Sequence, residues 1–351
     1  MTTKIAVLAG DGVGPEIIGA AVEILKACLP VELEPGLVGG AAIEATGDPL
    51  PHTTLQLVES SDAVLLGPVG GPLWGGKVRG EEGLERLRRT LGAYVSLRPA
   101  RYLGVAAPVR DSIARHADIL LVRDLSDMYI SGPASGNLTD HGPSLDTLRR
   151  AAHLAFRQAS SRRGRLTAVD KSNYLPASKT WRDVVAGVAS EYPEVDFEQR
   201  YVDTTSFEVM RAPHRFDVML TENLFGDILS DQLAALVGSM SLLGAASLGT
   251  RGHIFRPVQD SDPAIAGRGI ANPAGAILAV ALMLEHALER PDLARAVEAA
   301  VAAAVREAKT LDVQGHATTA EFTRAVLRNF SWLRWSDMPE AEPARTSEWG
   351  V

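Results

Sequence analysis

The sequence predicts an α/β protein, and three observations carry that reading. Short β-branched and aliphatic runs alternate with longer stretches of helical periodicity, the pattern of strands covered by helices. The runs end in polar or Gly-rich segments, where α/β proteins place their sites. The 351 residues, 46% of them hydrophobic, suffice for a sizeable core, and the length suggests about two domains.

The first strand is KIAVLAG (4–10), followed by the helix EIIGAAVEILKACL (16–29). Further strands follow at SDAVLLGP (61–68), ADILLVRDL (117–125), RLTAVDK (165–171) and RFDVMLTE (215–222), with a helix over 144–163 between the second and third of these. Two later helices are strongly signalled. FGDILSDQLAALVG (225–238) stops at Gly238, and NPAGAILAVALMLEHALE (272–289) opens with Asn272 as a candidate N-cap and Pro273 in the first turn. The second is apolar nearly all round, so it is expected inside the protein or at a subunit interface. From Ser331 onward Pro and charge interrupt any period, which reads as a C-terminal extension over 331–351. No internal repeat is visible.

Composition narrows the function. Lys+Arg 35 against Asp+Glu 43 gives a net charge of −8, which argues against a nucleic-acid partner. The single cysteine, Cys28, excludes an internal disulfide and a multi-cysteine metal site, and fits a reducing cytoplasm. No stretch approaches the roughly 18 apolar residues of a membrane span, so a soluble protein is expected. The histidines are scattered and form no HExxH, so any metal must be held by carboxylates.

Gly10-Asp11-Gly12-Val13-Gly14-Pro15-Glu16 lies between a strand and a helix but lacks the GxGxxG spacing of a dinucleotide fingerprint. A tight strand-to-helix turn and a ligand loop are equally open there. Gly71 to Val78 nearly spells a P-loop, yet Val78 offers no hydroxyl to a magnesium ion, which leaves a Gly-rich loop near a ligand or a plain surface loop. Arg88, Arg98 and Arg123 read as one on a helix, one on the turn after it and one at a strand end. Converging guanidiniums would suit a dicarboxylate; ordinary surface salt bridges are the plainer account.

Asp227 and Asp231 are spaced i, i+4 and share a helix face. Two carboxylates on neighbouring turns repel unless a cation lies between them, so the largely apolar surroundings favour a Mg²⁺ or Mn²⁺ site over a solvated face, with Asp203 as candidate third ligand. Lys171, closing an apolar strand, is a candidate proton acceptor, and Tyr129 a candidate phenolic acid.

Together GDGVGPE, GPVGGPLW, the Arg88/Arg98 pair, VDKSN, NLFGDILSD and GIANP resemble the β-decarboxylating dehydrogenases of the isocitrate/isopropylmalate family over about residues 4 to 330. GGAAIEATGDPLP and GGPLWGG look most like the isopropylmalate branch. The resemblance implies a two-domain α/β fold that is not a Rossmann fold, with residues 1–94 and 240–351 on the cofactor side and 95–239 forming the dimerisation and metal/substrate domain. It implies a homodimer with shared sites, NAD as cofactor, a Mg²⁺ or Mn²⁺ ion, and a small dicarboxylic 2-hydroxy acid as substrate. In that scheme Arg88, Arg98 and Arg123 hold the malate carboxylates, and Asp227 and Asp231 bind the metal with Asp203 of the partner subunit. The partner's Lys171 assists proton removal from the C2 hydroxyl, and Tyr129 protonates the enol. Oxidation at C2 precedes loss of CO₂.

Three departures from the family pattern surround this site. In the adenosine loop, Gln259 stands where the family has a histidine and Ala264 where it has the ribose-reading aspartate, leaving Asp262 or Asp260 to take over that contact beside Asn272. No Lys-Tyr pair follows at Ala264-Ile265, so NAD is expected rather than its phosphorylated form. On the helix beside Leu84, Glu85 replaces the leucine that would face an isopropyl group. Either Glu85 pairs with Arg88 or Arg89 on its own helix, the preferred reading, or the substrate's 3-substituent is polar or cationic. Tyr129 follows Arg123 by six residues where the family has seven. These changes point to a specialised paralogue, with a non-catalytic, regulatory member that binds dinucleotide poorly as the alternative.

Overall fold

The computed structural model describes residues 3–74, 79–126 and 145–336. Its strands are β1 (Thr3–Leu8), β2 (Val31–Gly36), β3 (Ala63–Leu66), β4 (Ala93–Arg101), β5 (Asp118–Asp124), β6 (Arg165–Asp170), β7 (Asp196–Tyr201), β8 (Val218–Thr221), β9 (Gly244–Gly249) and β10 (His253–Pro257). The helices are α1 (Gly14–Cys28), α2 (Gly39–Thr46), α3 (His52–Glu59), α4 (Glu81–Leu91), α5 (Asp111–Ala114), α6 (Leu145–Ser161), α7 (Pro176–Ala189), α8 (Val202–Arg211), α9 (Asn223–Val237), α10 (Ala274–His286), α11 (Pro291–Glu307) and α12 (Thr319–Ser336).

All these strands join one sheet in the order β2-β1-β3-β10-β9-β4-β5-β8-β6-β7. Both wings are parallel, while β10, β9, β4 and β5 form an antiparallel strip between them. Parallel wings need helices on their faces, and strands buried on both faces are continuously apolar: β3 is AVLL and β8 VMLT, each fully buried. The late strands β9 and β10 return to lie between β3 and β4, so the first and last parts of the chain build one end of the sheet together. This order is unlike the 3-2-1-4-5-6 of a Rossmann sheet.

α10 is buried among α1, α11, β9 and β10, which places its all-round apolar surface inside the protein. Asn272 supports its start: Oδ1 accepts from the Ala274 N–H at 3.0 Å. α9 ends at Gly238, whose φ of 121° is ready for glycine alone. An extension is expected from Ser331, but α12 continues through Ser336. Its inner residues Phe322, Ala325, Val326 and Phe330 recur at helical spacing and are buried, so packing holds the helix past the polar positions. Among the described residues no helix is long and apolar enough to cross a membrane.

Candidate active site

The antiparallel strip carries basic side chains on one face. Ser96 of β4 is paired with Arg123 of β5 and with Ser247 of β9. Two pairs further along, Arg98 lies opposite Leu121, and Ala245 of β9 opposite Arg256 of β10. Directly paired residues share a face, as do residues two apart on a strand, so Arg98, Arg123 and Arg256 project together over the small residues Ser96, Ala245 and Ser247. Arg98 is therefore a strand residue, not part of the turn expected after the helix. Arg88 joins them from the last turn of α4, which Gly92 ends at φ 64°.

These arginines border a cavity of about 990 Å³. Arg88, Arg98 and Arg123 are only 7%, 4% and 8% exposed, which rules out surface salt bridges as their main role. From α9, Asp227 and Asp231 reach the same cavity. Asp227 accepts from Arg98 Nη2 at 3.1 Å and from Arg123 Nη1, while Asn223 Oδ1 accepts from Arg123 Nε at 2.7 Å. Ser230 accepts from Arg98 Nη1. Burial pushes the Asp227 carboxyl up, but Arg123 and Arg98 outweigh it and hold the group below the ordinary carboxylate range. Asp231 goes the other way, raised by burial and then by the neighbouring Asp227 charge. A hard divalent cation between the two carboxylates would remove that repulsion, so the donor chemistry fits Mg²⁺ or Mn²⁺.

Asp203 does not join them within one chain. It accepts an ion pair from Lys171 at 2.9 Å, and no group of three His, Cys, Asp or Glu able to hold a metal occurs among the described residues. Neither Lys171 nor Asp203 borders the cavity of its own chain. Tyr129 and the 75–78 part of the Gly-rich loop lie outside the described residues.

The other wall comes from the loop after β10. Gln259, Asp260, Asp262 and Asn272 border the cavity, whereas Ala264 is exposed and does not. Gln259 is buried and its Oε1 has no hydrogen-bond partner, an orphaned acceptor suited to a ligand donor such as an adenosine or ribose group. Asp262 has φ 34°, left-handed backbone for a residue that precedes a proline. Asn272 is largely committed to the fold, since Nδ2 donates to Asp312 at 3.1 Å while Oδ1 supports α10.

The GDGVGPE segment proves to be a tie between these walls. Asp11 is buried and accepts from the N–H groups of Gly40, Ala41 and Gly70 at 2.7 to 2.8 Å. Gly12, at φ 57°, allows the Val13 N–H to reach the Ser261 carbonyl at 2.7 Å, and a Cβ on Gly12 would overlap that carbonyl. Glu16 accepts from the N–H groups of Gly269 and Ala271, gripping the GIANP loop.

Glu85 corrects an expectation. It forms no salt bridge with Arg88, Arg89 or any other described residue, and stands exposed at the cavity edge beside buried Leu84. The neighbouring Arg86 turns to Asp48 instead. Sequence reasoning also missed Arg256. Burial, then the charge of Arg98, lowers its guanidinium to about 10, and Arg88 is pushed down by burial and then by Arg256, Arg123 and Arg98.

Comparison with known proteins places this site in a class. The chain is 43% identical over 343 residues to the 3-isopropylmalate dehydrogenase of Deinococcus radiodurans, covering 93% of this chain and 97% of that protein. It is 43% identical over 344 residues to that of Zymomonas mobilis, covering 92% and 99%. Among solved structures, isocitrate dehydrogenase from Methylococcus capsulatus matches with a TM-score of 0.82 at 32% identity, covering 94% of this chain and 99% of that one. The apo β-decarboxylating dehydrogenase of Thermococcus kodakarensis matches at 0.80 and 30%, covering 97% and 100%. The fold, the site and these likenesses define a decarboxylating dehydrogenase. The model of the isocitrate/isopropylmalate dehydrogenase family matches residues 4–326, and the chain belongs to that family.

Proposed function

We propose that this protein catalyses the NAD-dependent, divalent-metal-dependent oxidative decarboxylation of a 3-substituted malate, 3-isopropylmalate or a more polar analogue, to the 2-oxo acid and CO₂. The observation that carries the reading is one cavity in which buried Arg88, Arg98 and Arg123 face Asp227 and Asp231. Guanidiniums kept largely dry bind carboxylates bidentately and fix the substrate's orientation. In this reading Arg88, Arg98 and Arg123 take the two malate carboxylates.

Asp227 and Asp231 would hold Mg²⁺ or Mn²⁺, which supplies Lewis-acid polarisation of the 2-hydroxyl and of the carbonyl that follows it. Gln259, Asp260, Asp262 and Asn272 border the side where NAD would bind as hydride acceptor. Arg98 and Arg123 hold Asp227 ionised and aimed, so the carboxylate is ready for a cation without a proton first leaving it.

Lys171 and Asp203 act, in this proposal, in the cavity of a second copy: Asp203 completes the metal ligands and Lys171 takes the proton of the C2 hydroxyl. Tyr129 is proposed as the acid that protonates the enol. Support for a homodimer comes from Phe207, Leu224 and Ile228, large apolar side chains left 61%, 65% and 61% exposed on α8 and α9. The proposed division puts 1–94 and 240–351 in the cofactor-side domain and 95–239 in the other, with the cavity between their contributions. A cytoplasmic setting accompanies this reading.

Titration calorimetry tests it. NAD is expected to bind in the presence of Mn²⁺ and a malate analogue; no dinucleotide binding under any condition would favour a regulatory, non-catalytic family member.

A further inference from the structure

Arg98 and Arg123 share the carboxylate of Asp227, but two arginines on the same cavity have no counter-anion. Among the described residues neither the Arg88 nor the Arg256 side chain makes a hydrogen bond or a salt bridge, and the Nε of each is buried without a partner. Arg88 is 93% buried by its 7% exposure. The acidic groups that act on Arg256, Asp227 and Asp260, do so only through space. Arg256 is half-buried, and guanidiniums partly withdrawn from water without a partner favour an anion, so the pair is a site suited to an anionic ligand.

The proposed substrate accounts for Arg88 through a malate carboxylate but leaves Arg256 unmatched. Arg256 lies across Ala245 from Arg98, on the β10 side of the strip and therefore toward the loop 259–263. A group meeting it extends from the malate core toward that loop. We infer that Arg256 is a specificity residue for an oxyanion carried on the 3-substituent, so that the substrate is an acidic malate with a third anionic group, a carboxylate or a phosphonate. This rests on the malate reading above. From α4 only Leu84 offers the substituent a buried apolar surface, and Glu85 stands exposed at the cavity edge, where it would repel an oxyanion, so the anion is placed at Arg256 on the opposite wall.

The test compares 3-isopropylmalate, 3-carboxymethylmalate and 3-phosphonomethylmalate with Mn²⁺, by calorimetric affinity and by kcat/KM for NAD reduction. The native protein is expected to bind one of the anionic analogues at least about 30-fold more tightly than the isopropyl compound. The better of the two identifies the oxyanion. Arg256→Gln should collapse that ratio toward one, and Arg256→Lys should restore part of it for a point-charge phosphonate more than for a bidentate carboxylate. A native preference for 3-isopropylmalate, an unchanged ratio in a folded Arg256→Gln, or a loss confined to NAD affinity would overturn the inference. Binding is read without turnover, so anionic preference without NAD reduction sinks the catalytic reading alone.

Discussion

The ammonium of Lys171 lies 2.9 Å from Asp203 Oδ2, and the pair stands outside the cavity that its own chain builds. Lys171 follows β6 directly and Asp203 opens α8 after β7, and these two strands are parallel neighbours with Asp170 paired to Tyr201. The sheet thus delivers both side chains at one edge as a unit. If a second copy supplies that unit, Lys171→Ala and Asp227→Asn should each be nearly inactive alone. Mixed subunits should regain about one quarter of native activity, since half the dimers are hybrids with one intact site. Purified hybrids that stay as inactive as the parents would show that each chain uses its own Lys171.

Glu85 sits exposed and unpaired next to buried Leu84. Glu85→Leu should raise kcat/KM for 3-alkyl malates relative to polar ones by roughly 10-fold, the scale set by one apolar side chain in a specificity pocket. Steady-state NADH absorbance over the series measures it. Unchanged ratios would remove Glu85 from substrate selection.

The Asp11 carboxylate satisfies three N–H groups, two of them buried, from two other segments. Asp11→Ala should cost roughly 3 kcal/mol or more, because each orphaned donor keeps its desolvation penalty. Gly12→Ala should also destabilise, by backbone strain and overlap with the Ser261 carbonyl. Urea unfolding checks both; a midpoint within error of the native value for either would contradict the account of this loop.

His253 and His286 are both shifted down by burial, against a Gly252 hydrogen bond for the first and the Glu285 charge for the second. Their unfolded value is about 6.5. Below it the unfolded chain binds protons that the folded one does not, so their contribution is present above pH ~6.5 and lost as pH falls through the folded values. Urea midpoints should therefore drop between pH 7 and 5. His253→Gln loses the ring acceptor of the Gly249 N–H, yet should show a shallower drop; an identical slope would exclude His253 as a contributor.

Much of this was legible locally. Asp227 and Asp231 share a face because the α-helix makes them do so, and the alternation of apolar runs and helical stretches was enough for the α/β class. The meaning of Arg256 was not legible, for it is a lone arginine in HIFRP whose role depends on β10 returning to within two strands of β4. Asp11 was ambiguous for the same reason: its partners at Gly40, Ala41 and Gly70 lie far along the chain. Arg98, expected on the turn after the helix, lies within β4, which runs from Ala93 to Arg101. Helix α12 outran its expected end because burial of one face overrode the polar sequence after Ser331.

One cavity is proposed to couple oxidation at C2 to loss of the β-carboxylate carried on C3. Purified protein with Mn²⁺, NAD and a malate labelled in the carboxylate on C3 should yield NADH and labelled CO₂ in equal amounts for at least one 3-substituted malate. NADH without CO₂, or neither product with any malate of the series, would contradict it.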